Sequence, residues 1–126
     1  MLGELAALEA ARLLVDTADT DGKKIITRVF SDRDLNYIKL LAQKLTRQSP
    51  NVIALLGSTA PPPALVFAAS PGQPADMNAL MKEALAKLGG RGGGSKDMAQ
   101  GGPQAVDQIE PTLNELAQRL SRAMPD

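Results

Sequence analysis

The spacing of apolar positions alternates between helical and extended periodicity along the chain. MLGELAALEAARLLV places Leu2, Leu5, Ala6, Glu9 and Leu13 near helical spacing among strong helix formers, predicting a helix over about 2–15. No Ser, Thr, Asp or Asn precedes it as a cap, so residues 1–16 read as the end of a longer helix; a frayed native first turn is the alternative. TADTDG at 17–22 is turn chemistry, and KKIITRVF at 23–30 reads as a strand. Ser31-Asp32-Arg33-Asp34 then opens a helix over about 32–48, whose Leu35, Ile38, Leu41, Ala42 and Leu45 fall within an arc of roughly 120°. NVIALLG at 51–57 is nearly continuous in apolar residues, as in a strand covered on both faces. Residues 23–57 thus form a strand–helix–strand unit with parallel strands. After STAPPP, ALVFAAS at 64–70 predicts a third strand, an antiparallel neighbour.

Asp76 caps a helix over about 76–88 that aligns Met77, Leu80, Met81, Ala84, Leu85 and Leu88 on one stripe, with Gly89 placed to end it. Pro103 can open a last amphipathic helix, about 104–123, carrying Val106, Ile109, Leu113, Leu116 and Leu120, which Pro111 kinks or restarts. The expectation is an α/β fold with a small mixed sheet (about 23–30, 51–57 and 64–70), residues 17–126 forming one globular domain with a glycine-rich segment at 89–102.

Composition narrows the chemistry. A 126-residue chain with 44% hydrophobic residues supports one core, built from aliphatic side chains because Phe30, Tyr37 and Phe67 are the only aromatics. With neither His nor Cys, thiolate nucleophiles, His-based acid–base catalysis and imidazole or thiolate metal sites are excluded for this chain. Serines without a His partner, the adjacent Ser95 and Lys96, and scattered acidic residues do not make a catalytic constellation; the chain alone reads as no enzyme, with no cofactor and no metal. No 18-residue apolar window and no basic-then-apolar leader occur in it, so a cytoplasmic location without a membrane partner is expected.

Formal charge is zero, but it is segregated. Residues 1–22 and 97–126 are acidic. Lys23, Lys24, Arg28, Arg33, Lys39, Lys44 and Arg47 outweigh Asp32 and Asp34 in one middle stretch, and Lys82, Lys87, Arg91 and Lys96 outweigh Glu83 in another. If the two stretches share a face, that face attracts anions.

Two candidate contacts follow. Residues 89–102 hold seven of the eleven glycines, and their order matches neither a Walker A loop nor a dinucleotide fingerprint. The bare amides of Gly89, Gly90, Gly92, Gly93, Gly94, Gly101 and Gly102, flanked by Arg91, Ser95, Lys96 and Gln100, can form a concave nest for phosphate; a ligand-free surface loop is the alternative. On the 32–48 helix, Arg33, Tyr37, Lys44 and Arg47 recur at helical spacing opposite the apolar stripe, three cations around one aromatic that suit a phosphate backbone with a stacked base or ribose. A plain solvated helix face is the competing reading.

GGRGGG at 89–94 followed by DMAQGG at 97–102 resembles the glycine-rich signature of the DHH-associated C-terminal domain of alanyl-tRNA synthetases and alanyl-tRNA editing proteins. The order of elements over roughly 12–103 is similar too. The resemblance implies a tRNA-binding accessory domain of a longer protein, a synthetase or an editing hydrolase, with the remainder of that parent as a partner and homodimerisation through the N-terminal helix as a further role. Its alternatives are a dimerisation or domain-docking module and, less favoured, a phosphoesterase. Editing in that family uses a His- and Cys-based zinc centre in another domain, whose ligands this chain lacks.

Overall fold

The computed structural model describes residues 2–17, 24–72 and 75–123, so most of the turn expected at 17–22 lies outside the described residues. Helix α1 (Leu2–Asp16) precedes β1 (Lys24–Phe30), α2 (Leu35–Gln48), β2 (Val52–Ser58) and β3 (Ala64–Ala69). Helix α3 (Met77–Leu88), β4 (Gly90–Gly94), β5 (Met98–Pro103) and α4 (Ile109–Ala123) complete the chain. The five strands form one mixed sheet in the order β1-β2-β3-β5-β4. As expected, β1 and β2 are parallel, in register from Lys24↔Val52 to Phe30↔Ser58, and β3 runs antiparallel to β2.

Helices cover both faces. Because side chains alternate along a strand, Ile53, Leu55, Leu65 and Phe67 face α3 and α4, while Val52, Ala54, Leu56, Val66 and Ala68 face α2. Every residue of β2 and β3 is buried. The six-residue stripe expected on α3 is buried in full. Helix α1 lies outside α2, packing through Ala6, Ala10 and Leu13. Gln48 Nε2 donates to the Ala7 carbonyl at 3.1 Å, and Tyr37 Oη donates to Glu9.

Two helix starts fall later than the pattern predicts. Helix α2 is capped by Asp34, itself extended, whose Oδ1 accepts the Tyr37 N–H at 3.0 Å, and the Arg33 carbonyl just before it accepts from the buried Ser58 hydroxyl. Helix α4 begins at Ile109 after a short 3-10 turn at Val106–Gln108. The N–H groups of Gln104 and Ala105 instead bond the Leu88 carbonyl at the end of α3, at 3.2 and 2.9 Å, satisfying a helix terminus. Pro111 then sits in the first turn of α4, where its missing N–H leaves no bond unmade.

The segment 89–102, read from sequence as an irregular nest, is a β-hairpin. Strand β4 pairs antiparallel with β5 from Gly90↔Pro103 to Gly94↔Ala99, and β5 pairs with β3. Ser95 closes the turn, its N–H donating to the Met98 carbonyl at 2.8 Å. Glycines leave no alternation of side chains to read, and their β propensity is low, so the sequence pattern concealed both strands.

Candidate nucleic-acid interface

The hairpin is covered mainly on one face. Helix α3 packs against β4 and β5, whereas α2 packs chiefly on β2 and β3, with Met98 of the hairpin at the margin of that layer. The two faces make opposite demands on their glycines. A Cβ at Gly92 would lie 2.4 Å from the Gln100 carbonyl oxygen and 2.5 Å from Gly101 Cα, and one at Gly101 would lie 2.8 Å from Leu85 Cδ1. Gly90, at φ +105°, would bring its Cβ to 1.9 Å from the Gly102 carbonyl oxygen. These residues are glycine so that two strands and a helix can close on one another. Gly102 has no such reason, the nearest atom to its Cβ position being the Pro63 carbonyl oxygen at 3.9 Å, whereas a Cβ at Gly93 would touch Asn78 Oδ1 of α3 at 3.4 Å. Gly102 keeps the uncovered face free of a side chain at its position.

That face is the floor of an open groove. One stretch, of about 480 Å³, is walled by Leu35 at the start of α2 and by Pro62 and Pro63, and floored by Arg91–Gly93 and Gln100–Gly102. A second, of about 440 Å³, shares Gly93 and Gln100 and continues to Gly94, Met98 and Lys39. Arg91 and Lys39 are both exposed and stand toward opposite ends, and none of the lining residues is acidic. On the α3 side of β4, a shallower groove places Lys82 beside Arg91. Lys96, also exposed, lies in the hairpin turn next to Ser95.

The cationic stripe expected on α2 lies elsewhere. Tyr37 is 1% exposed and is no platform for a base: its ring meets Phe30 edge-on, with centroids 6.1 Å apart, and carries the Arg33 guanidinium 4.4 Å above it. Burial, reinforced by the hydrogen bond to Glu9, pushes its phenol up to about 12. The apolar stripe of α2 is therefore wider than the sequence reading allowed, because α1 covers the helix flank that a two-layer fold leaves to solvent. Arg33 lines a groove with Leu5, Leu8, Glu9 and Arg12 of α1, and it shares none of the grooves described above with Arg91. Lys44 is partly exposed and Arg47 exposed, and neither lines a hairpin groove. Helical geometry explains the difference: Lys39 is two residues, about 200°, from Tyr37, so it occupies the opposite flank. Lys39, Leu35, Pro62 and Pro63 are the groove residues that sequence reasoning did not single out. Their only signal was Lys39's place in the basic stretch.

The structure is thus an α/β domain with a cation-flanked strand pair on its surface, and among the described residues no group of three His, Cys, Asp or Glu could hold a metal. The chain belongs to the DHHA1 domain family, whose model matches residues 21–122. It is 32% identical over 117 residues to the alanine–tRNA ligase of Leptospira interrogans and 33% identical over 124 residues to that of Methanococcoides burtonii, covering 86% and 96% of the chain. The chain spans only 12% and 13% of those relatives' own lengths. Its fold is that of the C-Ala domain from Aquifex aeolicus alanyl-tRNA synthetase, with a TM-score of 0.74 and 22% identity over 84% of this chain and 98% of that one. RecJ from Thermus thermophilus contains a similar fold, with a TM-score of 0.71 and 16% identity over 99% of this chain and 18% of RecJ. No helix among the described residues is long and apolar enough to cross a membrane.

Proposed function

We propose that this chain is a tRNA-binding accessory domain of an alanyl-tRNA synthetase or alanyl-tRNA editing protein, with the hairpin as its RNA contact and chemistry confined to other parts of the parent. The observation that carries this reading is the open hairpin groove, where exposed Arg91 and Lys39 flank a floor of small residues and Gly102 has no close neighbour at its Cβ position. Exposed cations beside a backbone that lacks side chains are groups that a sugar–phosphate chain can approach closely. The family and its ligase relatives supply the RNA. A cytoplasmic location goes with this role. Because the chain has no His and no Cys, hydrolysis of a mischarged tRNA falls to the remainder of the parent.

The test is affinity for an alanine tRNA transcript across salt concentrations. Binding should weaken as salt rises, and the double variant Arg91→Ala, Lys96→Ala should lower the log–log slope by about one for each phosphate no longer neutralised. Unchanged affinity and slope would remove the hairpin from the interface.

A second role is favoured by α1. Leu5, Leu8 and Val15 are 40%, 71% and 82% exposed and, with Arg12, recur at spacings of three, four and three along one exposed flank of α1. Such a seam suits pairing with a second copy of the helix, making α1 the dimerisation element of the parent.

A further inference from the structure

We infer that the outer edge of β4 takes an extended acidic peptide as an added strand, whose carboxylates meet Lys82 and Arg91. The inference does not rest on the RNA reading, because it concerns the edge of the strand and not its open face. Strand order leaves β4 at the margin of the sheet, paired with β5 alone. Hydrogen bonding alternates along an antiparallel pair, and the turn fixes the phase. The Ser95 N–H bonds the Met98 carbonyl, so Gly93 with Gln100 and Arg91 with Gly102 exchange bonds, whereas Gly90, Gly92 and Gly94 turn their N–H and C=O groups away from β5. Two observations agree with that phase: Gly90 lies opposite Pro103, which has no N–H to give, and the Gly94 N–H donates to Asn78 Oδ1 at 3.1 Å. Asn78 closes the edge at that end and leaves the outward groups of Gly90 and Gly92, both exposed. Sheet edges are commonly guarded by a proline, a bulge or a covering segment, and β4, four exposed or half-exposed glycines and one arginine in unbroken register, has none of these.

Beside this edge, a groove of about 420 Å³ is lined by Gly90, Arg91 and Gly92 and by Lys82, Leu85 and Ala86 of α3. Lys82 and Ala86 are one helical turn apart, so α3 runs a flank along the space that an added strand would fill. The ion pairs of α3 with α4 engage Glu83 and Lys87 and not Lys82, and no residue lining the groove is acidic. The chemistry chooses the occupant. A second copy joined through its own β4 would set these cations beside their likes. Phosphates accept hydrogen bonds and donate none, whereas this edge presents carbonyls as well as amides. An extended peptide answers both, and its carboxylates answer the cations.

The probe is the fluorescein-labelled peptide Val-Glu-Glu-Val-Glu-Glu-Val, whose paired glutamates set a carboxylate on each face of an added strand, titrated with the 126-residue chain and followed by anisotropy. It should bind at least about tenfold more tightly than the same peptide with lysine for glutamate, and Lys82→Glu, at an exposed position, should weaken it by about fivefold or more with an unchanged melting temperature. A version N-methylated at every amide keeps the charge but cannot pair with a strand, and it should bind at least about tenfold more weakly. Hydrogen exchange on the ¹⁵N-labelled chain reads the edge itself: saturating peptide should slow the Gly92 amide by at least about tenfold, and more than the Gly93 amide, which already faces β5. Equal binding by the N-methylated peptide would make the groove an anion site that a nucleic acid fills as readily, and would overturn the added strand. Equal binding by the lysine peptide, an unmoved Gly92 amide at saturation, or no binding up to about 1 mM peptide would overturn it as well.

Discussion

Tyr37 shows how one side chain can be read correctly in its position and wrongly in its use. Its place opposite the core stripe of α2 is real, but α1 converts that flank into an interior surface, and the phenol serves as a joint between helices. Tyr37→Phe removes the hydrogen bond to Glu9 and should destabilise the fold by about 1 kcal/mol in denaturant titration, with RNA affinity unchanged. The phenol also sets an alkaline limit. Its folded value, about 12, lies above the ordinary 10.0, so between those values the unfolded chain has released a proton that the folded chain retains. Stability is therefore full below pH 10 and falls as pH rises toward 12, by on the order of 2 kcal/mol, and this component of the slope should vanish in Tyr37→Phe.

At the scale of elements, the hairpin separates glycines required by the fold from glycines the fold does not need. Gly92→Ala sets a Cβ against the β5 backbone and should destabilise by about 2 kcal/mol or more, while Gly102→Ala should stay within about 0.5 kcal/mol, both read from denaturation midpoints. The helices and first three strands were legible in the sequence because their apolar spacing states which face is buried, as the stripes on α3 and along β2 and β3 illustrate. The hairpin was not legible as strands, since a glycine reports nothing about the face it occupies. Partnership between elements was equally hidden. The sequence showed cations on both α2 and the hairpin, but only the packing of α1 on α2 reveals that Lys39, and not Arg33, lies on the hairpin side.

For the whole molecule, the asymmetry of coverage decides function. Helices α3 and α4 are joined by surface ion pairs, Lys87 with Glu115 and Arg119 with Glu83, and close one face of the sheet; α2 leaves the other face open at the hairpin. Exposed pairs of this kind contribute at most about 1 kcal/mol each, so the buried aliphatic layers on the two sheet faces hold the fold. The exposed seam of α1 adds a prediction about assembly. If it pairs two copies, sedimentation should show a concentration-dependent dimer that Leu8→Glu together with Val15→Glu reduces to monomer without altering RNA affinity.

The central claim is that RNA meets the open face of the hairpin. Amide chemical-shift changes on adding an alanine tRNA transcript to the ¹⁵N-labelled chain test it most directly. The largest changes should fall on Lys39, Arg91, Gly93, Gln100 and Gly102. Changes concentrated on α4 or on the outer flank of α1, with those five amides unmoved, would contradict it.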